Sequence, residues 1–217
     1  MSKQQDSIKY TIIEDCSPYY IRFKWDGLID IVKYVSDTLE KLGNNAYQFT
    51  DPYAQNYSGY SHCNFNDAIA EKIIDMLPMS CIFEFKKHRV AMFNSNPGGG
   101  SGIHKDGSNC RISLNIPIEV HDRLCVTSWY NDEIFVDKEI AGLPYTRNVH
   151  RDYRSLNQFP TAKQMTASLN EMILFNTDIF HSWDNTNSPN SRKVLTLRII
   201  NHDDLKFEDI KKILFKY

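Results

Sequence analysis

Three side chains in this sequence could together hold a redox metal: His104 and Asp106, in the tripeptide His104-Lys105-Asp106, and His181 far downstream. Two imidazoles and one carboxylate form the donor set of a non-haem Fe(II) site that keeps positions open for substrate chemistry. In an extended segment, residues i and i+2 project to the same side, so His104 and Asp106 can grip one ion. The third donor must then arrive from another strand. His181 fits that role, because Asp178-Ile179-Phe180-His181 follows the apolar run Met172-Ile173-Leu174-Phe175. A His-x-Asp pattern alone is weak, since most instances are surface turns. A distal His behind a strand and an Arg eleven residues later make it much more specific. The set suggests an oxygenase.

Three donors on one face of a six-coordinate ion leave three positions. A cosubstrate such as 2-oxoglutarate can fill two through its 2-oxo group and C1 carboxylate, leaving one for O2. Its other carboxylate, once buried, demands a cationic partner, preferably a planar bidentate one. Arg192, opening the strand Val194-Leu195-Thr196-Leu197-Arg198-Ile199-Ile200, suits that role, and Thr196 or Ser113 could add a hydrogen bond. Arg198 lies on the same strand face as Arg192, because their separation is even. It is the competing anchor, about 20 Å further along by strand rise. Arg111 stands beside the expected ligands, as an outer-face ion pair or a substrate contact. Asn94 is read as a turn residue that could reach the site. Trp183, two residues after His181, is a candidate substrate contact, whereas Trp129 and Tyr130 read as core or rim aromatics.

The string Gly102-Ile103-His104-Lys105-Asp106-Gly107-Ser108-Asn109-Cys110-Arg111-Ile112-Ser113-Leu114-Asn115-Ile116-Pro117, with Leu174 to His181 and the distal Arg192, resembles the 2-oxoglutarate/Fe(II)-dependent dioxygenases. The stretch from His104 to Arg111 looks most like the aspartyl/asparaginyl β-hydroxylase-like branch, which includes free-proline hydroxylases. The resemblance spans about residues 83 to 200. It implies a double-stranded β-helix of the jelly-roll, cupin-like kind. It also implies iron on His104, Asp106 and His181, and the 2-oxoglutarate C5 carboxylate on Arg192. Some aspartyl hydroxylases lack the carboxylate ligand; Asp106 departs from them, which weakens any transfer of peptide-aspartate specificity and argues against halogenation.

The elements that must position these residues follow from periodicity. Tyr10–Ile13 and Tyr19–Phe23 read as strands around a Ser17-Pro18 turn. Asp26 could cap a helix with Leu28, Ile31, Val35, Leu39 and Leu42 on one face, stopped by Gly43. Residues 44–66 read as a polar, Tyr-rich loop. A second helix runs from about Asp67 to Leu77, ended by Pro78. Strands follow over Cys81–Phe85, Arg89–Asn94, Cys110–Ile118, Cys125–Tyr130, Glu133–Asp137, Met172–Phe175 and Lys193–Ile200. Residues 141–164 read as a connecting loop, and a last helix covers about Lys206–Phe215. Pro97-Gly98-Gly99-Gly100-Ser101-Gly102 lacks the GK[ST] ending of a phosphate loop and reads as a flexible turn feeding the metal-binding strand.

These elements give a mainly β chain with flanking helices. The 217 residues read as one domain: a support region over about 1–80, a double-stranded β-helix core over about 81–202, and a helix over about 203–217. A net charge of −2 gives no strong non-specific attraction to nucleic acid. Five scattered cysteines without a CxxC pair point to reduced thiols and a cytoplasmic setting. No apolar run is long enough to span a membrane, and the start lacks a signal-peptide core. The expected activity is Fe(II)-, 2-oxoglutarate- and O2-dependent hydroxylation of an amino acid or amino-acid side chain, in a small-molecule or peptide substrate, releasing succinate and CO2. The alternatives are a non-catalytic jelly-roll binding module and a cupin-like metalloenzyme that does not use 2-oxoglutarate.

Overall fold

The computed structural model describes residues 9–50, 59–106, 111–131, 148–150, 159–199 and 205–216. The chain opens with the hairpin β1 (Thr11–Cys16) and β2 (Tyr20–Lys24). Helix α1 (Leu28–Leu42) buries Leu28, Ile31 and Val35 and ends at Gly43, whose φ of +52° suits glycine. Its N-cap is Gly27 with no side-chain hydrogen bond, so the expected Asp26 cap is not formed. Instead the Leu28 N–H bonds the Trp25 carbonyl in a tight turn.

Residues 44–66, read as loop, contain β3 (Tyr47–Thr50) and β4 (Tyr60–Phe65). In β4 the buried positions are Ser61, Cys63 and Phe65, so the alternation is real, but two of its three inward side chains are small ones that hydropathy flags weakly. Helix α2 (Asp67–Met76) is capped by Asn66, whose side chain accepts from the Ile69 N–H. Pro78 opens a 3-10 turn over Pro78–Cys81, so Cys81–Phe85 is not a strand.

The strands beyond are β5 (Phe85–Ser95), β6 (Ile103–His104), β7 (Ile112–Val120), β8 (Val126–Tyr130), β9 (Asn148–His150), β10 (Thr161–Thr166), β11 (Met172–Asn176), β12 (His181–Asp184) and β13 (Arg192–Ile199), before α3 (Phe207–Phe215). Thus residues 141–164, expected as loop, supply β9 and the start of β10. The expected strand Glu133–Asp137 lies outside the described residues. Cys110, the expected first residue of β7, does too.

Among the described residues the strands form two antiparallel sheets. The larger has the order β1-β2-β11-β7-β13-β5-β4-β3, and the smaller β10-β8-β12-β6-β9. From β5 onward the chain crosses repeatedly between them, which is the winding of a double-stranded β-helix. The larger sheet is covered on both faces. Ile112, Leu114, Ile116, Leu174, Leu195 and Leu197 face the helices in one core that also holds Ile31, Ile73 and Ile210. The intervening residues Ser113, Asn115, Phe175, Val194 and Thr196 face the smaller sheet and line a cavity.

A second cluster ties the two sheets. Tyr20 stacks on Trp129 with centroids 5.0 Å apart, Trp129 meets Phe175 at 4.8 Å, and Phe175 stands edge-on to His181 at 5.0 Å. Trp129 is fully buried. Replacing it with alanine is expected to cost about 3–5 kcal/mol, read as a lowered urea midpoint, with a loosened His181 ring as its local consequence.

Candidate functional site

The loop after β11 delivers His181 into the cavity. Asn176 accepts the Asp178 N–H through its side-chain oxygen and donates through Nδ2 to the Pro18 carbonyl, pinning the turn to the N-terminal hairpin. On the facing strand, His104 pairs directly with His181 in register. Two residues on, the Asp106 N–H bonds the Thr177 carbonyl at 3.0 Å, which draws its side chain to the same end of the cavity. Lys105 points the other way and sits over the Phe180 ring at 4.4 Å.

Both imidazoles are oriented by backbone. His104 Nδ1 lies 2.8 Å from the Gly102 carbonyl, and His181 Nδ1 lies 2.8 Å from the Ile179 carbonyl. A carbonyl oxygen only accepts, so each Nδ1 carries a proton, and in the neutral ring Nε2 is then the atom with a lone pair to offer a metal. The two rings are 4.4 Å apart, and His104 Nε2 stands 3.8 Å from Asp106 Oδ1. The ligand atoms of His104, Asp106 and His181 lie within 4.8 Å of one another. Burial, helped by the nearby His104, lowers the His181 pKa to about 4. Burial alone would raise Asp106, but Arg198 and then the two imidazoles outweigh it and hold the carboxyl below its usual range.

One face of β13 supplies both cations. Arg192, Val194, Thr196 and Arg198 line the cavity together, as their even spacing requires. Arg198 donates to Asp106 Oδ2 at 2.7 Å. Arg192, at the other end, is 9% exposed, and its terminal nitrogen meets the Cys125 sulfur at 3.2 Å. Its Nε has no hydrogen-bond partner among the described residues, and Asn115 Oδ1 is equally orphaned. Ser113 and Thr196 are buried between the two ends.

Trp183 also lines the cavity, edge-on to Tyr60 at 5.5 Å, and Tyr60 stacks on Phe93. Two candidates are not brought in. Asn94 lies on the opposite face of β5 from the cavity residues Phe93 and Ser95 and donates to Ser61. Arg111 is not among the cavity-lining residues; its carbonyl accepts from the Thr177 N–H. Tyr60 carries no site signal in sequence, because it lies in a stretch whose composition reads as loop. Asn115 was missed, although alternation from Ser113 would have located it. The reduced thiol of Cys125 packs on the Arg192 guanidinium. The glycine-rich turn is bonded rather than loose: Gly98 N–H and Asn185 N–H tie it to the β12–β13 connection, and Ser101 N–H bonds the Trp183 carbonyl. A Cβ on Gly59, at φ +66°, would lie 2.9 Å from Gly99 Cα, so this approach needs glycine.

No family model and no curated protein matches the sequence. Solved structures do. SnoN, a non-haem α-ketoglutarate-dependent epimerase from nogalamycin biosynthesis, is similar at TM-score 0.50 and 10% identity, over 88% of this chain and 84% of that one. In a complex with Fe3+, α-ketoglutarate and nogalamycin RO, SnoN gives TM-score 0.52 at 11% identity, with the same coverage. HygX from Streptomyces hygroscopicus, with nickel, 2-oxoglutarate and hygromycin B bound, gives TM-score 0.50 at 9% identity, over 83% of this chain and 82% of that one. The fold is shared. At these identities the likeness carries the double-stranded β-helix and nothing about residues. Among the described residues no helix is long and apolar enough to cross a membrane.

The buried His181 has a pH signature in the metal-free protein. An unfolded imidazole binds its proton near pH 6.5, whereas the folded one resists until about pH 4. Between those values the unfolded chain holds more protons, so stability falls as pH drops through that window. The Asp106 contribution is lost only below the ordinary carboxylate value of 3.8. Urea midpoints across pH 7 to 4 in chelator are expected to fall more steeply for wild type than for His181→Gln, and equal slopes would contradict it.

Proposed function

We propose that this chain is a 2-oxoglutarate- and Fe(II)-dependent oxygenase. The observation that carries the reading is the pairing, in one cavity, of a two-His-one-Asp cluster with a buried arginine that has no carboxylate partner among the described residues. A buried guanidinium without an anion is costly, and a ligand carboxylate would satisfy it. The donor chemistry fits the metal too, since the two Nε2 lone pairs and Asp106 Oδ1 converge and suit Fe(II).

In this reading His104, Asp106 and His181 hold Fe(II), which would supply the O2 activation that no side chain here can provide. Arg192 receives the C5 carboxylate of 2-oxoglutarate as a planar fork. Ser113, Thr196 and Asn115 line the space between, and their polar atoms can bond the cosubstrate. Phe175, Ile173, Val194 and Met165 surround it with apolar surface that excludes water. Neither the Nδ1 protons nor Asp106 need move, because no side chain is required as an acid or base.

Hydroxylation of an amino acid or amino-acid side chain, with release of succinate and CO2, is the outcome we favour, on the likeness of residues 104–111 to the aspartyl/asparaginyl β-hydroxylase-like branch. Trp183, with Tyr60 and Phe93, offers aromatic surface in the same cavity for a small-molecule or peptide substrate. The residues and fold are read as a single domain whose support region carries β1 to β4.

Succinate formation from anaerobically Fe(II)-loaded protein given 2-oxoglutarate, ascorbate and O2 tests the reading. His104→Ala and His181→Ala are expected to abolish it. Arg192→Ala removes one partner of a buried ion pair, a loss of roughly 3–5 kcal/mol, so its 2-oxoglutarate affinity should fall at least about a hundredfold. Undiminished turnover in His181→Ala would sink the assignment. If wild type binds neither Fe(II) nor 2-oxoglutarate, the binding-module reading replaces it.

A further inference from the structure

Arg192 has a counterpart at the metal end that the oxygenase reading leaves without a task. Arg198 projects from the same face of β13 and meets a carboxylate of the cluster itself, donating to Asp106 Oδ2 at 2.7 Å. The two side chains are only 15% and 19% exposed, so water screens the contact weakly. Asp106 is fixed from a second direction by its own N–H on Thr177. Its other oxygen, Oδ1, is the one that stands 3.8 Å from His104 Nε2. The carboxylate is therefore divided, with one oxygen on the cation and the other toward the imidazoles.

We infer that Arg198 is a positioning residue that keeps Asp106 a one-oxygen ligand and so preserves room for a chelating cosubstrate. The inference rests on the metal reading above. A six-coordinate ion held by three protein atoms has three positions left, enough for the two oxygens of 2-oxoglutarate and one O2. If Asp106 turned both oxygens to the ion, only two would remain, and the chelate and O2 would compete. A carboxylate binds through two oxygens only when both point at the ion. Arg198 holds Oδ2 aside with a short, charge-assisted bond. The planar guanidinium fixes direction as well as charge, which an ammonium on a flexible stem does not.

A merely electrostatic or structural role makes a different forecast. Arg198 is a cation beside a cation site, so removing its charge alone should tighten metal binding and leave the coordination geometry as it was. Removing the orienting bond should change the geometry and weaken the chelate.

Co(II), which reports its coordination through visible d–d absorption, and 2-oxoglutarate are the probes. Arg198→Gln and Arg198→Lys are each compared with wild type and with Arg192→Ala, after circular dichroism shows which variants are folded. The expected result is Co(II) binding in the folded Arg198 variants, a d–d spectrum altered before any 2-oxoglutarate is added, and 2-oxoglutarate binding weakened by about 10- to 100-fold. Arg192→Ala should lose 2-oxoglutarate affinity with the Co(II) spectrum unchanged. An unaltered spectrum and affinity in either folded Arg198 variant would overturn the inference. So would an Arg198→Lys protein that folds and matches wild type in both readouts, since charge alone would then suffice. Wild type that binds no Co(II) would remove the metal reading itself, and this inference with it.

Discussion

The central strands of the larger sheet must satisfy two environments at once, and the site depends on that. In β7, β11 and β13, one parity of residues packs against the helices and the other faces the cavity. A slip of one residue in any of these strands would turn its apolar set into the cavity and its polar set into the core. Burying leucines and isoleucines beneath the helices therefore also aims Ser113, Thr196, Arg192 and Arg198 at the smaller sheet. The register that stabilises the fold is the register that builds the site.

Inside the cavity, electrostatics are arranged along one strand face. The Asp106 charge is matched at once by Arg198, whereas Arg192 is buried against the Cys125 thiol. Each imidazole has its Nδ1 proton committed to a backbone carbonyl. This leaves a lone-pair end and a cationic end, separated by hydroxyls and hydrocarbon. A ligand with a chelating head and an anionic tail matches that polarity, and one of reversed polarity would not.

Much of this was legible along the chain. The helices carried regular apolar spacing, and all three appear within a residue or two of the expected limits. Strands with branched apolar runs, such as Met172–Asn176 and Arg192–Ile199, were equally plain. Elements whose buried positions are small or polar were not. In β4 two of the three inward residues are Ser61 and Cys63, and β10 (Thr-Ala-Lys-Gln-Met-Thr) lacks any apolar alternation. Such strands form because a neighbouring strand offers backbone hydrogen bonds, which a single sequence does not display. The Cys81–Phe85 stretch failed the other way, since its apolar residues were enlisted by a turn begun at Pro78.

Sequence by itself determined the donor types and their local parity: an imidazole and a carboxylate two residues apart, a distal imidazole behind an apolar strand, and two arginines on one face. These follow from residue chemistry and strand period. Only the tertiary structure decided which arginine meets which group. Arg192 and Arg198 are indistinguishable by parity, and both were plausible anchors for a carboxylate. The antiparallel pairing of β6 with β12, and of β7 with β13, brings the Asp106 end of the cavity beside Arg198 and leaves Arg192 at the far end. That assignment comes from strand register between segments distant in the chain, which is settled by packing across the two sheets rather than by any local preference.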